Sequence, residues 1–387
     1  MKVCMVTTSF PRWVDDGQGS FIWEAARAIS QQGVRVRVVA MHSPGARTYE
    51  CIEDIEILRP RYWWPEKLEI LRKEGGGLPV VWKKYPIARL QIFPFIIVHT
   101  AATARFARDC DLIHAHWTLS AAAALLGRQI HRRPILVTLQ GSDIFQAANV
   151  PKGSWITKNI LLRCDCITAL SNALAEAARS IGVHGRHIHI IPNGVDVNRF
   201  IPPIDGYRGN FILYVGSLIE RKGVKYLINS MPIVLRFFPS YRLILIGEGP
   251  QYRELKQIVE NLEIGERVVF LGFQPQEQVR SWLQRAKVLI LPSLEEGQGV
   301  VLLEAMACGT PVIASQVGGI PEIVTDEVGV LVPPADPIAL AEAIVSILSN
   351  SHWWNELSSC ARERAVKHYS WDLIAKLYIT LYESLVT

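Results

Sequence analysis

The sequence predicts an α/β protein made of two doubly wound, Rossmann-like domains that face each other across a cleft. Three observations carry this. Short apolar strands alternate with glycine-rich turns and longer helical patterns; the rhythm pauses once near residues 200–210; and 387 residues correspond to two domains at ~100 to 200 residues each.

The first strand is read at Met1 to Val6, followed by a loop to Ser20. From Phe21 to Gln32 apolar residues recur on a helical period until Gly33 stops it. Val34 to Ala40 alternates Val with Arg, as a strand with one wetter face does. Further strands are read at Leu112 to Ala115, Ile135 to Leu139, Ile167 to Leu170 and His187 to Ile191. The run Ile201-Pro202-Pro203-Ile204-Asp205-Gly206 suits an exposed hinge, dividing the chain into a domain over 1–205 and one over 206–370. The second half restarts with strands at Phe211 to Val215, Arg242 to Ile246, Val268 to Leu271, Val288 to Leu291, Pro311 to Ala314 and Val330 to Val332. Three helices close the chain, near Ile338 to Leu348, Asn355 to His368 and Trp371 to Leu385.

Composition excludes several classes. Hydrophobic residues at 49% and charged residues at 20% rule out a disordered chain. Seven cysteines without a Cys-x-x-Cys pair fit neither a disulfide framework nor a zinc knuckle, which points to the cytoplasm. Residues 1 to 6 show no basic leader, so no signal peptide is expected. The most apolar stretch, Leu90 to Val98, is too short for a bilayer span of ~20 residues, and Pro94 and His99 are expected to interrupt or end it. A net charge of +5 is too mild to argue for nucleic acid. Residues 1–205 nevertheless hold 25 basic and 17 acidic groups, against 16 and 19 in the rest.

The densest chemical signal runs from Pro292 to Pro311. A strand ends, a loop containing Glu296, Gly297 and Gly299 follows, and a helix begins near Val300, so the free amides around Gly299 to Val301 form an anion site. Glu304, expected in the first helical turn, can accept two hydrogen bonds from a ribose diol, and Glu296 can hold hydroxyls of a neighbouring sugar. The plain alternative is that Glu304 complements a helix N-terminus and Glu296 is solvated. A second strand–turn–helix signal carries Gly216, Arg221 and Lys222; a guanidinium fork and an ammonium together suit a diphosphate. Its plain alternative is an exposed basic turn.

In the first domain, Asp111-Leu112-Ile113-His114-Ala115-His116-Trp117 puts both histidines on one strand face. With no third ligand at matching spacing, zinc is not expected; His116 reads as a hydrogen-bonding cleft residue and His114 as a packed one. The loops Thr7-Thr8-Ser9, Gly17-Gln18-Gly19-Ser20 and Gln140-Gly141-Ser142-Asp143 are polar strand ends suited to phosphate and acceptor.

Together these residues resemble glycosyltransferase family 4, the retaining enzymes of GT-B architecture. The resemblance runs over nearly the whole chain, through Ile191-Pro192-Asn193-Gly194-Val195-Asp196, Gly247-Glu248-Gly249-Pro250 and Gly318-Gly319-Ile320-Pro321-Glu322, and is most specific at the paired glutamates. It implies that a nucleotide-sugar donor is bound by Gly19, Gly216, Arg221, Lys222, Glu296, Gly297, Gly299, Val300 and Glu304. His116, Arg221, Lys222 and Glu296 are implied in catalysis, and Gln18, Gln140, Ser142 and Asp143 at the acceptor. It further implies that the helix from Trp371 crosses back onto the first domain. Three positions depart from the family's pattern: Gln140 stands where His is frequent, Gln298 where Phe is frequent and Ser217 where Arg is common. No metal or cofactor is expected beyond the substrate. A sugar phosphorylase, a nucleotide-sugar epimerase and a non-enzymatic sugar- or nucleotide-binding protein are the alternatives. A nicotinamide dehydrogenase is disfavoured, because no Gly-x-Gly-x-x-Gly turn follows the first strand.

Residues Arg59 to Arg108 hold ten basic and three acidic groups, with Tyr62, Trp63, Trp64, Trp82 and Tyr85 interleaved. This suits docking on an anionic membrane at its cytoplasmic face, and hence a lipid-linked acceptor. The alternative is a solvated loop with some buried rings.

Overall fold

A computed structural model describes residues 1–13, 16–72, 81, 84–148, 151–184 and 187–386. The chain forms two compact units, Met1–Asn193 with Trp371–Thr387, and Gly194–Ser370.

The first unit is an eight-stranded sheet of β1 (Lys2–Thr7), β2 (Arg35–Ala40), β3 (Tyr49–Ile52), β4 (Ile55–Leu58), β5 (Leu112–His116), β6 (Ile135–Leu139), β7 (Cys166–Ala169) and β8 (Ile188–Ile190). Their order is β3-β4-β2-β1-β5-β6-β7-β8, parallel except where β3 runs antiparallel to β4. β1 is flanked on both sides, Val3 lying opposite Val36 and opposite Leu112, so it is fully apolar and buried from Val3 to Val6. The winding direction reverses between β1 and β5, and the loops after these strands bound the crevice where open α/β sheets take their ligands.

The second unit repeats the plan with β9 (Phe211–Val215), β10 (Arg242–Ile246), β11 (Val268–Gly272), β12 (Val288–Leu291), β13 (Val312–Ser315) and β14 (Gly329–Val332), all parallel, in the order β11-β10-β9-β12-β13-β14. Here the reversal falls between β9 and β12. The loops that follow these two strands are the two segments singled out above for their charges.

One element is new and two expectations need correction. The hairpin β3–β4 was not foreseen: its tip sets Glu53 and Asp54 at φ 47° and 64°, in a stretch too charged to read as strand. The helix Ala88–Phe106 runs through both Pro94 and His99. One unpaired carbonyl at a proline does not break a helix whose other face is packed. The division between units lies at Asn193/Gly194, ahead of Pro202-Pro203. The segment after Gly194 packs on the second unit, because the Val195 N–H donates to the Tyr369 carbonyl at 2.7 Å. Arg362 likewise donates to the carbonyls of Val197 and Phe200 at 2.9 and 2.8 Å. The last helix, Trp371–Val386, belongs to the first unit, where Trp371, Ile374, Tyr378 and Tyr382 join the core around Val3 and Met5.

Candidate functional site

In the second unit the loop after β9 and the loop after β12 are joined by backbone contact. Glu220–Lys222 is a single 3₁₀ turn ended by Gly223 at φ 63°. A Cβ at Gly223 would lie 2.0 Å from the Pro292 carbonyl oxygen, so only glycine fits. The Leu294 N–H then donates to the Arg221 carbonyl at 2.7 Å. This places Lys222 beside Glu296, and the two form an ion pair with side chains mostly withdrawn from water. The Ser293 hydroxyl donates to the same carboxylate at 3.3 Å.

Burial alone pushes the Glu296 carboxyl upward, but Lys222, Arg221 and Ser293 outweigh it and hold the group below its ordinary value, so it is ionised at neutral pH. The neighbouring Glu295 carboxyl is raised by burial, with Glu296 adding to the rise. Arg221 is half-buried and close enough to act on both acids. The Tyr214 hydroxyl, fully buried behind the loop, donates to the Ser217 carbonyl at 2.9 Å. The Gly216 N–H is tied to the Ile246 carbonyl at 2.9 Å.

Gly297 is buried, and Gly299, at φ 85°, caps the helix Val300–Ala307. The N–H groups of Val300 and Val301 precede any intrahelical acceptor and carry the positive end of the helix dipole. Glu304 does not stand in the first turn as expected; the helix starts at Val300, so Glu304 lies one turn further in and half-buried.

In the first unit the strand-end residues are arranged differently. His114 is packed, with Nδ1 on the Tyr382 hydroxyl and Nε2 on the Thr138 hydroxyl, both at 2.6 Å. His116, 3% exposed, stacks obliquely on it at 4.2 Å between ring centres. Burial lowers the His116 pKa to about 3, so the ring is neutral. The Gln140 amide nitrogen donates to His116 Nδ1 at 3.1 Å, which puts the remaining proton on Nε2. That Nε2 is buried with no hydrogen-bond partner among the described residues, a donor still to be used. Three of the four ring nitrogens of the pair are thus engaged in hydrogen bonds.

Asp143, read as an acceptor contact, is largely committed to the protein. Oδ1 accepts the N–H groups of Gln140 and Gly141 at 3.2 and 3.1 Å, and Oδ2 that of Thr118 at 3.3 Å. Burial raises its pKa to about 6 against the lowering by those donors. Ser142 starts the next helix and is half-buried. Gly19, at φ 77°, caps the helix Ser20–Gln31; a Cβ there would lie 2.6 Å from the Ser9 carbonyl carbon, which welds the Gly17–Gly19 turn to the strand end. The Gln18 side-chain oxygen faces the buried Arg72 guanidinium at 3.4 Å. Arg72 also donates to the Phe10 carbonyl at 2.9 Å. Neither Arg72 nor Ser293 is singled out for the site by the sequence, since nothing local marks an Arg or Ser as facing a loop distant in the chain.

Comparison with known proteins agrees with this anatomy. Residues 16–199 match the model of Glycosyltransferase Family 4, and residues 199–367 that of Glycosyl transferases group 1. An uncharacterized glycosyltransferase of Methanocaldococcus jannaschii is 31% identical over 71% of this chain and 76% of its own. The phosphatidyl-myo-inositol mannosyltransferase of Mycobacterium leprae is 29% identical over 97% of this chain and 94% of its own. The solved sucrose-phosphate synthase of Thermosynechococcus elongatus superposes with a TM-score of 0.81 at 26% identity, covering 99% of this chain and 98% of that one. The chain belongs to the glycosyltransferases of the GT-B fold.

Proposed function

We propose that the protein is a retaining hexosyltransferase that takes its sugar from a nucleoside diphosphate and passes it to a sugar, glycan or lipid-linked acceptor, in cell-envelope, polysaccharide or glycolipid synthesis. The observation that carries this reading is the Lys222–Glu296 pair at the point where the second sheet reverses. An ammonium held by one carboxylate beside a helix N-terminus is a ready counter-ion for a diphosphate.

In this reading the diphosphate oxygens draw on Lys222, the Arg221 fork and the first-turn amides at Val300, while Glu296 holds hydroxyls of the donor sugar and Glu304 the ribose. His116 Nε2–H donates to the sugar near the reacting carbon. The bond from the anomeric carbon to phosphate breaks through an oxocarbenium-like state, and the bond to the acceptor oxygen forms on the same face. The acceptor's proton passes to the departing phosphate, so no protein base is required. Cations and amides supply the stabilisation of growing negative charge, and we assign no metal or further cofactor. The mycobacterial relative is named a phosphatidyl-myo-inositol mannosyltransferase, which supports a hexose and a lipid-linked acceptor here.

The test is a thermal-shift screen of uridine, guanosine and adenosine diphosphate sugars, in which a ligand at 100 times its dissociation constant adds about 2.7 kcal/mol. Turnover with the hit follows. Nucleoside diphosphate release that depends on acceptor, with an unchanged anomeric configuration in the product, is expected. Consumption of inorganic phosphate, or turnover without acceptor, would overturn the reading in favour of a phosphorylase or an epimerase.

A further inference from the structure

The helix Ala88–Phe106 is apolar on the wrong side. Its buried residues are Ala88, Gln91, Phe95, His99, Thr103 and Ala104, so three of the six are polar. Both ring nitrogens of His99 and the Thr103 hydroxyl lack partners among the described residues, and burial lowers the His99 pKa to about 4, keeping the ring neutral. The outward stripe starts at Ile87, just before the helix, and continues through Leu90, Phe93 and Ile97, which are 53 to 73% exposed. A water-facing helix places Lys, Glu or Arg at such positions. The adjoining turn adds Trp64 and Leu68, 82% and 53% exposed, and Gln91 ties it to the helix by donating to the Leu68 carbonyl at 2.6 Å. Contiguous exposed hydrocarbon of this kind marks a contact surface.

Charge identifies the partner. Lys84 and Arg89 are exposed before or beside the stripe and Arg105 and Arg108 beyond it, with no Asp or Glu in the chain between Gly75 and Arg108. Lys67 is exposed in the adjoining turn, which also carries Glu66, and Asp109 follows Arg108. Not every cation of the segment Arg59 to Arg108 faces water. Arg59 and Arg72 are in fact buried, Arg59 on Glu50 and the Pro11 carbonyl and Arg72 on the Phe10 carbonyl, and Tyr62 is in the core. Trp82 lies outside the described residues. The remaining rim is still basic. A second copy of the chain meeting this face by two-fold symmetry would bring like charges together. Among the described residues no helix is long and apolar enough to cross a bilayer, so the face can lie on one but not span it.

We propose that this face docks the first unit onto an anionic membrane, with Leu90, Phe93 and Ile97 at the level of the upper acyl chains and the flanking cations among the headgroups. The proposal is independent of the sugar chemistry, and its test does not use turnover. The full chain is sedimented with vesicles of phosphatidylcholine containing phosphatidylglycerol, and with phosphatidylcholine alone. Binding to the anionic vesicles is expected, weakened by salt, and reduced about tenfold or more by Leu90→Ser with Phe93→Ser. These side chains face outward, so the melting temperature should be unchanged. Arg89→Ala with Arg105→Ala serves as a second variant if the first fails to fold, and it should weaken binding to anionic vesicles. Equal sedimentation with and without vesicles would overturn the proposal, as would wild-type binding by variants that fold normally. Concentration-dependent self-association without lipid, abolished by the same substitutions, would overturn it in favour of a second copy.

Discussion

The two sheets both present their candidate residues at the C-terminal ends of neighbouring strands, β9 and β12 in the second unit and β5 and β6 in the first, yet hold them in opposite ways. In the second unit charged side chains sit on loops locked by main-chain contact, Gly223 against Pro292 and Leu294 on Arg221. In the first unit hydrogen bonds hold the side chains instead: Tyr382 and Thr138 on the neutral His114, Gln140 on the neutral His116, and three backbone N–H groups on the Asp143 carboxyl. The difference suits a division of labour. A diphosphate needs fixed full charges, which must be prevented from collapsing or drifting. A hydroxyl-bearing ligand needs directional donors such as His116 Nε2, best kept in one tautomer by a neighbour.

If the second site depends on main-chain contact, Gly223→Ala should have the largest effect. The left-handed conformation costs a non-glycine residue about 1 to 3 kcal/mol, and the added carbon meets the Pro292 oxygen, so the loops must part. Activity should fall below detection and the second unit should melt earlier in calorimetry; a variant with normal melting and turnover would break the comparison. Lys222→Ala removes one charge and leaves the loops joined. Turnover should drop ~100- to 1000-fold with the fold intact, measured at saturating donor. A near-normal rate would refute the role of the cation.

The smallest effect belongs to the first site. Asp143 has a folded pKa of about 6, above its ordinary 3.8, so between these values the folded chain binds more protons than the unfolded one. Stability from this group therefore falls as pH rises from about 4 to 6, and is constant above. Asp143→Asn should flatten that slope in melting curves taken across the window. An unchanged slope would show that the carboxyl is better solvated than its burial implies.

Much of this was legible along the chain because it depends on local order. Strand, glycine turn and helix recur, and each buried parallel strand announces itself as a run such as Val288–Leu291. The charged loops of the second site could be read because each follows an apolar strand directly. The first site was read less well. Asp143 looks like a ligand contact in sequence, and only the folded loop shows its oxygens occupied by Gln140, Gly141 and Thr118. Glu304 is expected in the first turn, but with the helix starting at Val300 as read, a residue four positions on already opens the second turn.

By itself the sequence determined the two α/β units, the residue types at each strand end and the basic excess of the first half, since periodicity and composition are properties of neighbours in the chain. The tertiary structure alone decided that Lys222 meets Glu296, that Arg59 and Arg72 turn inward, and that the stripe from Ile87 to Ile97 turns outward. Those outcomes depend on which surfaces pack together, and the period of a helix marks a face without saying which way it looks.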